Sequence, residues 1–370
     1  MKNILVINSL KEKNKPLIGF FEALKKNNNL FFRGSDDYFL EKFKPEAKKN
    51  FFGPKVDDSA GFIFYFLLLG LYFWRFFSLL GVKVKNKIEI IICIGLNEKI
   101  IFTPLAKILG LKIIWLEIPN RKRNQKGLLR FFSRWAKIAV FTSAQMENLI
   151  ASGFKKANIF NISLGLDLTA NIKQENIFSP LAVADKPYQF FKNFSIGTII
   201  NFDDNFQLEN LLRAVKNCCN VIPNIQLVII GKIADRNNFN WLVRKIGLER
   251  RVWFVGEQEN VAKWFENFDL YVVASSRPEL ADLEATILAM SRGVPTIAYY
   301  DPFLADFLLE GETGFFVSPI NIDSMTQKII AVEPDKRLLK KVGENGQILV
   351  NNYFFREKQI ENFSKIINYK

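Results

Sequence analysis

Residues 264–299, which read WFENFDLYVVASSRPELADLEATILAMSRGVPTIAY, decide the fold of this chain. Two short apolar runs, at 270–273 and 296–298, flank a segment of helical length around 283–291. Near-continuous apolar strands joined through a helix are typical of a parallel sheet covered on both faces, because each strand is buried on two sides. The stretch therefore predicts a strand–helix–strand unit of an α/β protein.

The same alternation extends in both directions from this unit. Strand-like runs lie at 4–7, 88–94, 112–116, 138–142 and 159–162 in the first half, and at 194–200, 226–230, 252–255, 270–273 and 296–298 in the second. The segment around 171–193 does not continue this alternation of strand-like and helix-like runs, and it carries Pro180 and Pro187. We therefore predict a domain at 1–170, a linker at 171–193 and a second domain at 194–350, with a ligand cleft between the two domains.

Composition narrows the chemistry available to the chain. Its 370 residues include no His, which excludes catalytic triads, Cys-His dyads and every metal site that needs imidazole. Cys93, Cys218 and Cys219 can supply neither a disulfide framework nor a four-cysteine zinc site. The start, MKNILVINS, lacks the apolar length of a signal peptide, so we expect a reducing, cytoplasmic location.

The net charge of +14 is concentrated in the first half. Residues 1–180 hold 29 Lys and Arg against 14 Asp and Glu, which leaves 22 against 23 for residues 181–370. An asymmetry of this size indicates that the first half faces something anionic, such as a membrane surface or an acidic substrate. Nucleic acid is the other polyanion, but the sequence carries no nucleic-acid-binding motif, and we expect no such partner.

Two segments of the basic half are candidates for a membrane surface. Residues 61–80, GFIFYFLLLGLYFWRFFSLL, are long enough to span a bilayer but carry Arg75, so a buried, a membrane-lying and a spanning helix all stay open. Residues 126–137, KGLLRFFSRWAK, predict an amphipathic helix. Its apolar residues are Leu128, Phe131, Phe132 and Trp135, and its basic residues are Lys126, Arg130, Arg134 and Lys137. Such a helix either lies in an anionic membrane interface or packs its aromatic face on its own sheet.

The order of segments in the second half resembles the C-terminal domain of the GT-B glycosyltransferases of retaining family 4, also called glycosyl transferases group 1. The matching pieces are FSIGTIINF (194–202), PNIQLVIIG (223–231), IGLERRVWFVG (246–256), WFENFDLYVVASSRPE (264–279), AMSRGVPTIAY (289–299) and EGETGFFVSP (310–319). In the first half, FTSAQMENLIASGF (141–154) and NISLGLD (161–167) resemble the end of the family's first domain. The resemblance implies two Rossmann-like domains that face a cleft, with a C-terminal helix at 351–370 crossing back to the first domain.

The turn at 275–279 suits the diphosphate of a nucleotide sugar. The leaving diphosphate gains negative charge as the glycosidic bond breaks, so it needs cations or a helix N-terminus. Ser275, Arg277 and Glu279 lie between a strand and a helix, where backbone N–H groups, a cation and an acceptor for sugar hydroxyls come together. The alternative is that Ser and Glu only cap the helix.

This sequence departs from the family's donor-site pattern. The resemblance places Leu288 where the family has a Glu on the ribose, and Asn201 and Phe206 where it has an Arg and a Lys on the diphosphate. Glu284 is a candidate substitute for the missing Glu, and Lys232 and Arg277 are candidate replacement cations. Gly256, at the end of the matching strand, completes the predicted donor site.

The resemblance implies a His on the acceptor side, which this chain lacks. Glu117 in WLEIPN is the candidate to bond an acceptor hydroxyl, or else it caps the turn before Pro119. Asp203 and Asp204 are interpreted as a solvated loop, because GT-B enzymes generally need no metal.

The resemblance implies a retaining glycosyltransferase, with Glu279 and Glu117 as its catalytic candidates. It would move a sugar from a nucleotide-diphosphate sugar to a lipid-linked or cell-envelope glycan acceptor, working without a metal or other cofactor at the inner face of the plasma membrane. Two alternatives stay open: a non-catalytic GT-B binding module, and a sugar-nucleotide epimerase or hydrolase, for which no imidazole base is available.

Overall fold

The computed structural model of the chain separates into two compact units. The first comprises Met1–Gly165 together with Arg356–Lys370, and the second comprises Leu166–Phe355. Within them the structure describes residues 1–8, 15–34, 37–44, 47–49, 62–119, 126–167, 193–201, 205–233, 235–258, 260–319, 321 and 323–369. The segment predicted as a linker, 171–193, lies outside the described residues except for Asn193.

The first unit is built on a seven-stranded sheet. Its strands are β1 (Asn3–Asn8), β2 (Asn29–Gly34), β3 (Ala47–Lys49), β4 (Ile90–Cys93), β5 (Lys112–Leu116), β6 (Lys137–Val140) and β7 (Ile159–Asn161). They lie in the order β3-β2-β1-β4-β5-β6-β7, and every pairing described is parallel. The first strand is therefore central, and the chain leaves it first towards one edge and then towards the other, as in a doubly wound sheet.

Helices cover both faces of this sheet. They are α1 (Lys15–Lys25), α2 (Asp37–Lys42), α3 (Phe62–Asn86), α4 (Leu96–Ile108), α5 (Lys126–Phe132) and α6 (Ser143–Ala151), with α13 (Arg356–Asn368) from the end of the chain. The sheet and the helices on one of its faces enclose a core that includes Leu79 of α3, Leu105 of α4 and Leu129 of α5. Within the described residues, no helix combines the length and apolarity needed to cross a membrane.

The second unit repeats the arrangement with six strands. They are β8 (Phe194–Asn201), β9 (Ile225–Lys232), β10 (Val252–Gly256), β11 (Leu270–Val273), β12 (Thr296–Tyr299) and β13 (Phe315–Val317), in the order β10-β9-β8-β11-β12-β13. The helices are α7 (Asn205–Cys218), α8 (Arg236–Lys245), α9 (Ala262–Phe265), α10 (Leu280–Ser291), α11 (Asp323–Val332) and α12 (Lys336–Tyr353). The prediction of two Rossmann-like parallel-sheet domains is confirmed.

Two details differ from the sequence-based expectation. Strands β2, β3 and β13 were not predicted, although β2 and β13 each pair with a predicted strand, β1 and β12, and β3 pairs with β2. The helix predicted over 126–137 is wrong in its second half, because α5 ends at Phe132 and a 3-10 turn occupies Ser133–Trp135. Lys137 then lies in β6, with its ammonium group 4.1 Å from the centre of the Tyr369 ring.

Candidate functional site

The predicted donor residues lie at the carboxyl edge of the second sheet. Asn201 ends β8 and pairs in register with Lys232, which ends β9. Gly256 ends β10, and Ser275 follows β11 by two residues. Because β8 lies between β9 and β11, the chain changes direction here, and such a switch point is where open α/β sheets bind ligands. The fold therefore brings residues from four strand ends to one binding edge.

Gly231 holds two of these strand ends close together. Its φ angle is +125°, and a Cβ atom at this position would overlap the carbonyl oxygen of Ile200. Only glycine fits a backbone that combines this conformation with so close a neighbour. The exposed ammonium group of Lys232 and the end of β8 are consequently fixed beside each other.

The turn between β11 and α10 presents Arg277 to solvent. The Ser275 hydroxyl oxygen accepts a hydrogen bond of 3.2 Å from the backbone N–H of Arg277, and Pro278 is buried beneath the turn. Glu279 is the N-cap of α10 and is exposed. Since α10 begins at this edge, its first backbone N–H groups and its positive dipole end add to the charge of Arg277. The arrangement suits an anion with several oxygen atoms.

Asp282, which was not predicted from the sequence, stabilises this turn through a hydrogen bond. Its Oδ2 atom accepts a hydrogen bond of 2.8 Å from the backbone N–H of Glu279, three residues earlier. Burial and, to a smaller extent, the nearby Glu279 charge raise the pKa of Asp282 to about 6 against the lowering effect of that hydrogen bond. The spacing Glu-x-x-Asp ahead of an apolar helix is the signal that would have identified it.

The departures from the family pattern fall on the same edge. Leu288 is half-buried on α10, and Glu284, also half-buried, lies one turn nearer its start. Phe206 lies in the first turn of α7, but its side chain and that of Asn201 lie outside the described residues, as do Asp203 and Asp204. Arg277 and Lys232 thus remain the candidate cations among the side chains described at this edge.

In the first unit, Glu117 is buried and ion-paired. Its Oε1 atom lies 3.0 Å from Nζ of Lys99, and the two residues are 6% and 4% exposed. The backbone carbonyl of Glu117 accepts a 3.2 Å hydrogen bond from Nε2 of Gln145, whose Oε1 accepts one of 2.8 Å from the backbone N–H of Phe141. A buried charge needs such a partner, so Lys99 stabilises the carboxylate and fixes its position.

Glu117 belongs to a larger group of buried polar residues at the carboxyl edge of the first sheet. Its members are Asn8, Glu98, Lys99, Glu117, Thr142 and Gln145. They come from the ends of β1, β5 and β6 and from the first turns of α4 and α6. Of these, the sequence predicted only Glu117, because Lys99 and Glu98 lie on a helix whose inward face cannot be recognised before its packing is known.

The predicted membrane-surface residues divide between the core and the surface. The side chains of Leu128, Phe131 and Trp135 are 42%, 48% and 38% exposed, whereas Phe132 packs against the core. Arg130 and Arg134 are exposed, and the Arg134 guanidinium lies 5.5 Å from the centre of the Phe131 ring. The side chain of Lys126 lies outside the described residues.

Most of the second unit is similar to a known family. Residues 192–348 match the family described as "Glycosyl transferases group 1". The chain is 24% identical to the lipopolysaccharide core biosynthesis glycosyltransferase LpsE of Rhizobium meliloti (strain 1021), over 37% of this chain and 39% of that protein. It is 26% identical to the poly(glycerol-phosphate) alpha-glucosyltransferase of Bacillus subtilis (strain 168), over 61% of this chain and 33% of that protein. The chain thus spans well under half the length of both of these curated relatives.

A solved structure extends the comparison to the whole chain. The crystal structure of Anabaena Alr3699/HepE in complex with UDP superposes with a TM-score of 0.78, covers 100% of both chains and is 15% identical in sequence. At this identity the likeness concerns the fold. The chain therefore has the GT-B fold, and its residues 192–348 are similar to the group 1 glycosyl transferases.

Proposed function

We propose that this protein is a retaining glycosyltransferase that uses a nucleotide-diphosphate sugar as donor. The observation that carries the proposal is the meeting of Lys232, Arg277 and the start of α10 at the carboxyl edge of the second sheet. The relatives named above support it, since one acts on poly(glycerol-phosphate) and another takes part in lipopolysaccharide core biosynthesis. The acceptor we propose is accordingly a lipid-linked or cell-envelope glycan.

The donor diphosphate would sit at the start of α10. Arg277 and Lys232 carry positive charges, and the first-turn N–H groups of α10 that the Glu279 side chain does not occupy donate hydrogen bonds without reorganisation. Together they balance the diphosphate without a metal ion. Glu279, exposed at the N-cap, accepts hydrogen bonds from sugar hydroxyls. Because the charge on the diphosphate grows as the bond to the sugar breaks, these contacts strengthen in the transition state.

The transfer step itself needs no residue that acts as a nucleophile. The acceptor hydroxyl oxygen attacks the anomeric carbon from the face that the diphosphate leaves, so the configuration is retained. The bond between the anomeric carbon and the diphosphate oxygen breaks, and the acceptor's proton passes to the departing diphosphate. In this scheme Glu117, held in place by Lys99, accepts a hydrogen bond from the acceptor. The basic first unit contacts the acceptor at the inner face of the plasma membrane.

Nucleotide binding tests the proposal directly. We expect UDP, GDP or ADP at millimolar concentration to raise the melting temperature, and Arg277→Ala to weaken the binding by about tenfold, because a charged hydrogen bond contributes on the order of 1.5 to 3 kcal/mol. Arg244→Ala is the matched control, since Arg244 is equally exposed but lies in the last turn of α8. No shift with any of the three nucleotides would overturn the proposal, and equal affinities of the two variants would show that the site is misplaced.

A non-catalytic binding module is the second candidate, favoured by the residues at 201, 206 and 288. Asn201, Phe206 and Leu288 carry no charge that could contact the diphosphate or the ribose. Such a module would bind a nucleotide without turning over any nucleotide sugar. Release of UDP or GDP from their glucose and mannose conjugates over hours, measured with and without a membrane extract as acceptor, separates the two candidates.

A further inference from the structure

Helix α3 exposes three of its aromatic side chains and buries Arg75, one of its charged residues. Phe73, Trp74 and Phe77 are 71%, 73% and 54% exposed, and Val84, about two turns further along, is 70% exposed. On the inward side Arg75 is only 6% exposed and Leu79 only 3%. A helix on a protein surface normally turns its polar residues to water, so this pattern is inverted and the apolar stripe needs an apolar partner.

Two neighbouring helices continue the same surface. Helix α4 packs against both α3 and α5, and all three lie on one side of the first sheet, where they share a core. Ile108 at the end of α4 is 71% exposed, and Leu128, Phe131 and Trp135 add the exposed apolar residues of α5 and its 3-10 turn. We call this surface the aromatic face: Phe73, Trp74, Phe77, Val84, Ile108, Leu128, Phe131 and Trp135.

The charges on these helices have one sign. Lys85, Lys107, Arg130 and Arg134 are exposed on α3, on α4, and on α5 with its 3-10 turn. Among the described side chains of these helices, none of the exposed ones is a carboxylate. The surface is thus apolar and aromatic with a basic surround, in the half of the chain that carries the whole excess of positive charge.

We propose that the aromatic face docks on the surface of an anionic lipid bilayer, with α3 and α5 lying along it. Trp and Phe side chains insert at the boundary between headgroups and acyl chains, and lysines and arginines attract anionic headgroups. A second copy of the chain is the less suitable occupant, because two identical basic faces repel each other. The inference rests on the proposed function in one respect, since a lipid-linked acceptor would be reached from this surface.

Co-sedimentation with vesicles tests this face. The intact protein should bind vesicles of phosphatidylcholine with about one third phosphatidylglycerol, and bind pure phosphatidylcholine at least about tenfold more weakly. Replacing Phe73, Trp74 and Phe77 together by Ser should weaken binding to the anionic vesicles by at least about tenfold. Ile348→Ser with Tyr353→Ser, two equally exposed apolar residues of the second unit, should leave binding unchanged.

A second variant keeps the test decisive if the triple variant folds poorly. Arg130→Glu with Arg134→Glu leaves the apolar residues in place and should reduce binding to anionic vesicles by about tenfold or more. The inference would be overturned if both variants bind anionic vesicles as tightly as the intact protein does, or if the intact protein does not bind them. Sedimentation that shows a lipid-free dimer abolished by the triple variant would assign the face to self-association instead.

The nucleotide experiment separates this inference from the proposed function. Vesicle binding without any thermal shift by UDP, GDP or ADP would support the proposed role of the aromatic face and contradict the proposed transferase function. A nucleotide shift without vesicle binding would do the reverse. The triple variant should keep the nucleotide shift of the intact protein, because its changes lie in the first unit.

Discussion

Asp282 shows how one half-buried carboxyl can shape the proposed donor site. Its pKa of about 6, raised by burial and by Glu279, means that the folded second unit favours the protonated acid. A raised pKa gives a contribution to stability that is fully present below the unfolded pKa, near 3.8, and is lost as the pH rises through about 6. At neutral pH, where the Asp282 carboxyl is mostly ionised, this contribution to the stability of the second unit is therefore largely lost.

Asp282→Asn should remove this pH dependence. The amide keeps an oxygen that accepts the hydrogen bond from Glu279 N–H but has no charge to bury. We expect the variant to match the intact protein near pH 4 and to exceed its free energy of unfolding by on the order of 1 to 3 kcal/mol at pH 7 and 8. Urea unfolding of both proteins between pH 4 and 8 checks this, and a stability difference that does not change with pH would contradict it.

At the residue scale, the sequence predicted where the candidate site residues lie in the fold better than which side chains they contact. Ser275, Arg277 and Lys232 follow directly after apolar runs, and parallel strands end at one edge, so their common location could be predicted from order alone. The ion pair of Glu117 with Lys99 could not, because its members lie on a strand end and on the preceding helix, whose rotation about its axis is set by packing. Burial, which decides the pKa of Asp282, is likewise a property of packing.

At the element scale, the junction of β8 and β9 depends on Gly231. Gly231→Ala should lower the free energy of unfolding of the second unit by more than about 3 kcal/mol, because the methyl group meets the carbonyl oxygen of Ile200 at a φ angle reserved for glycine. Gly311→Ala is the matched control: its φ angle is +71° and no atom lies within 4 Å of the added carbon, so strain of about 1 kcal/mol is expected. Equal losses in the two variants would show that the contact with Ile200 carries no energy.

Element boundaries were predicted less well where short strands and turns compete with helical periodicity. The apolar spacing of 126–137 fits a helix, but Lys137 pairs its strand with β5 and places its ammonium group on the Tyr369 ring of the chain's last segment. Strand β3, three residues long, is defined by pairing with β2 and carries no signal of its own. In both cases contacts distant in sequence override the local pattern.

At the scale of the whole molecule, one topology is used twice with different surfaces. Each sheet places its first strand between the second and the fourth, and each unit has its own core. The first unit carries the positive excess and the aromatic face, whereas the second unit, with 19 Lys and Arg against 23 Asp and Glu, carries none. This division assigns the proposed contacts with the membrane and the acceptor to one unit and nucleotide binding to the other.

Calorimetry of the intact chain can test that division, because the two cores should melt as separate transitions. Gly231→Ala identifies the transition of the second unit by lowering it. UDP, or whichever nucleotide binds, should raise the same transition by several degrees at a hundred times its dissociation constant, since the linkage contributes about 2.7 kcal/mol. The other transition should not move, because nucleotide binding is proposed to involve only strand ends and turns of the second unit. A nucleotide that raises the transition insensitive to Gly231→Ala would place the donor site in the first unit and contradict the division.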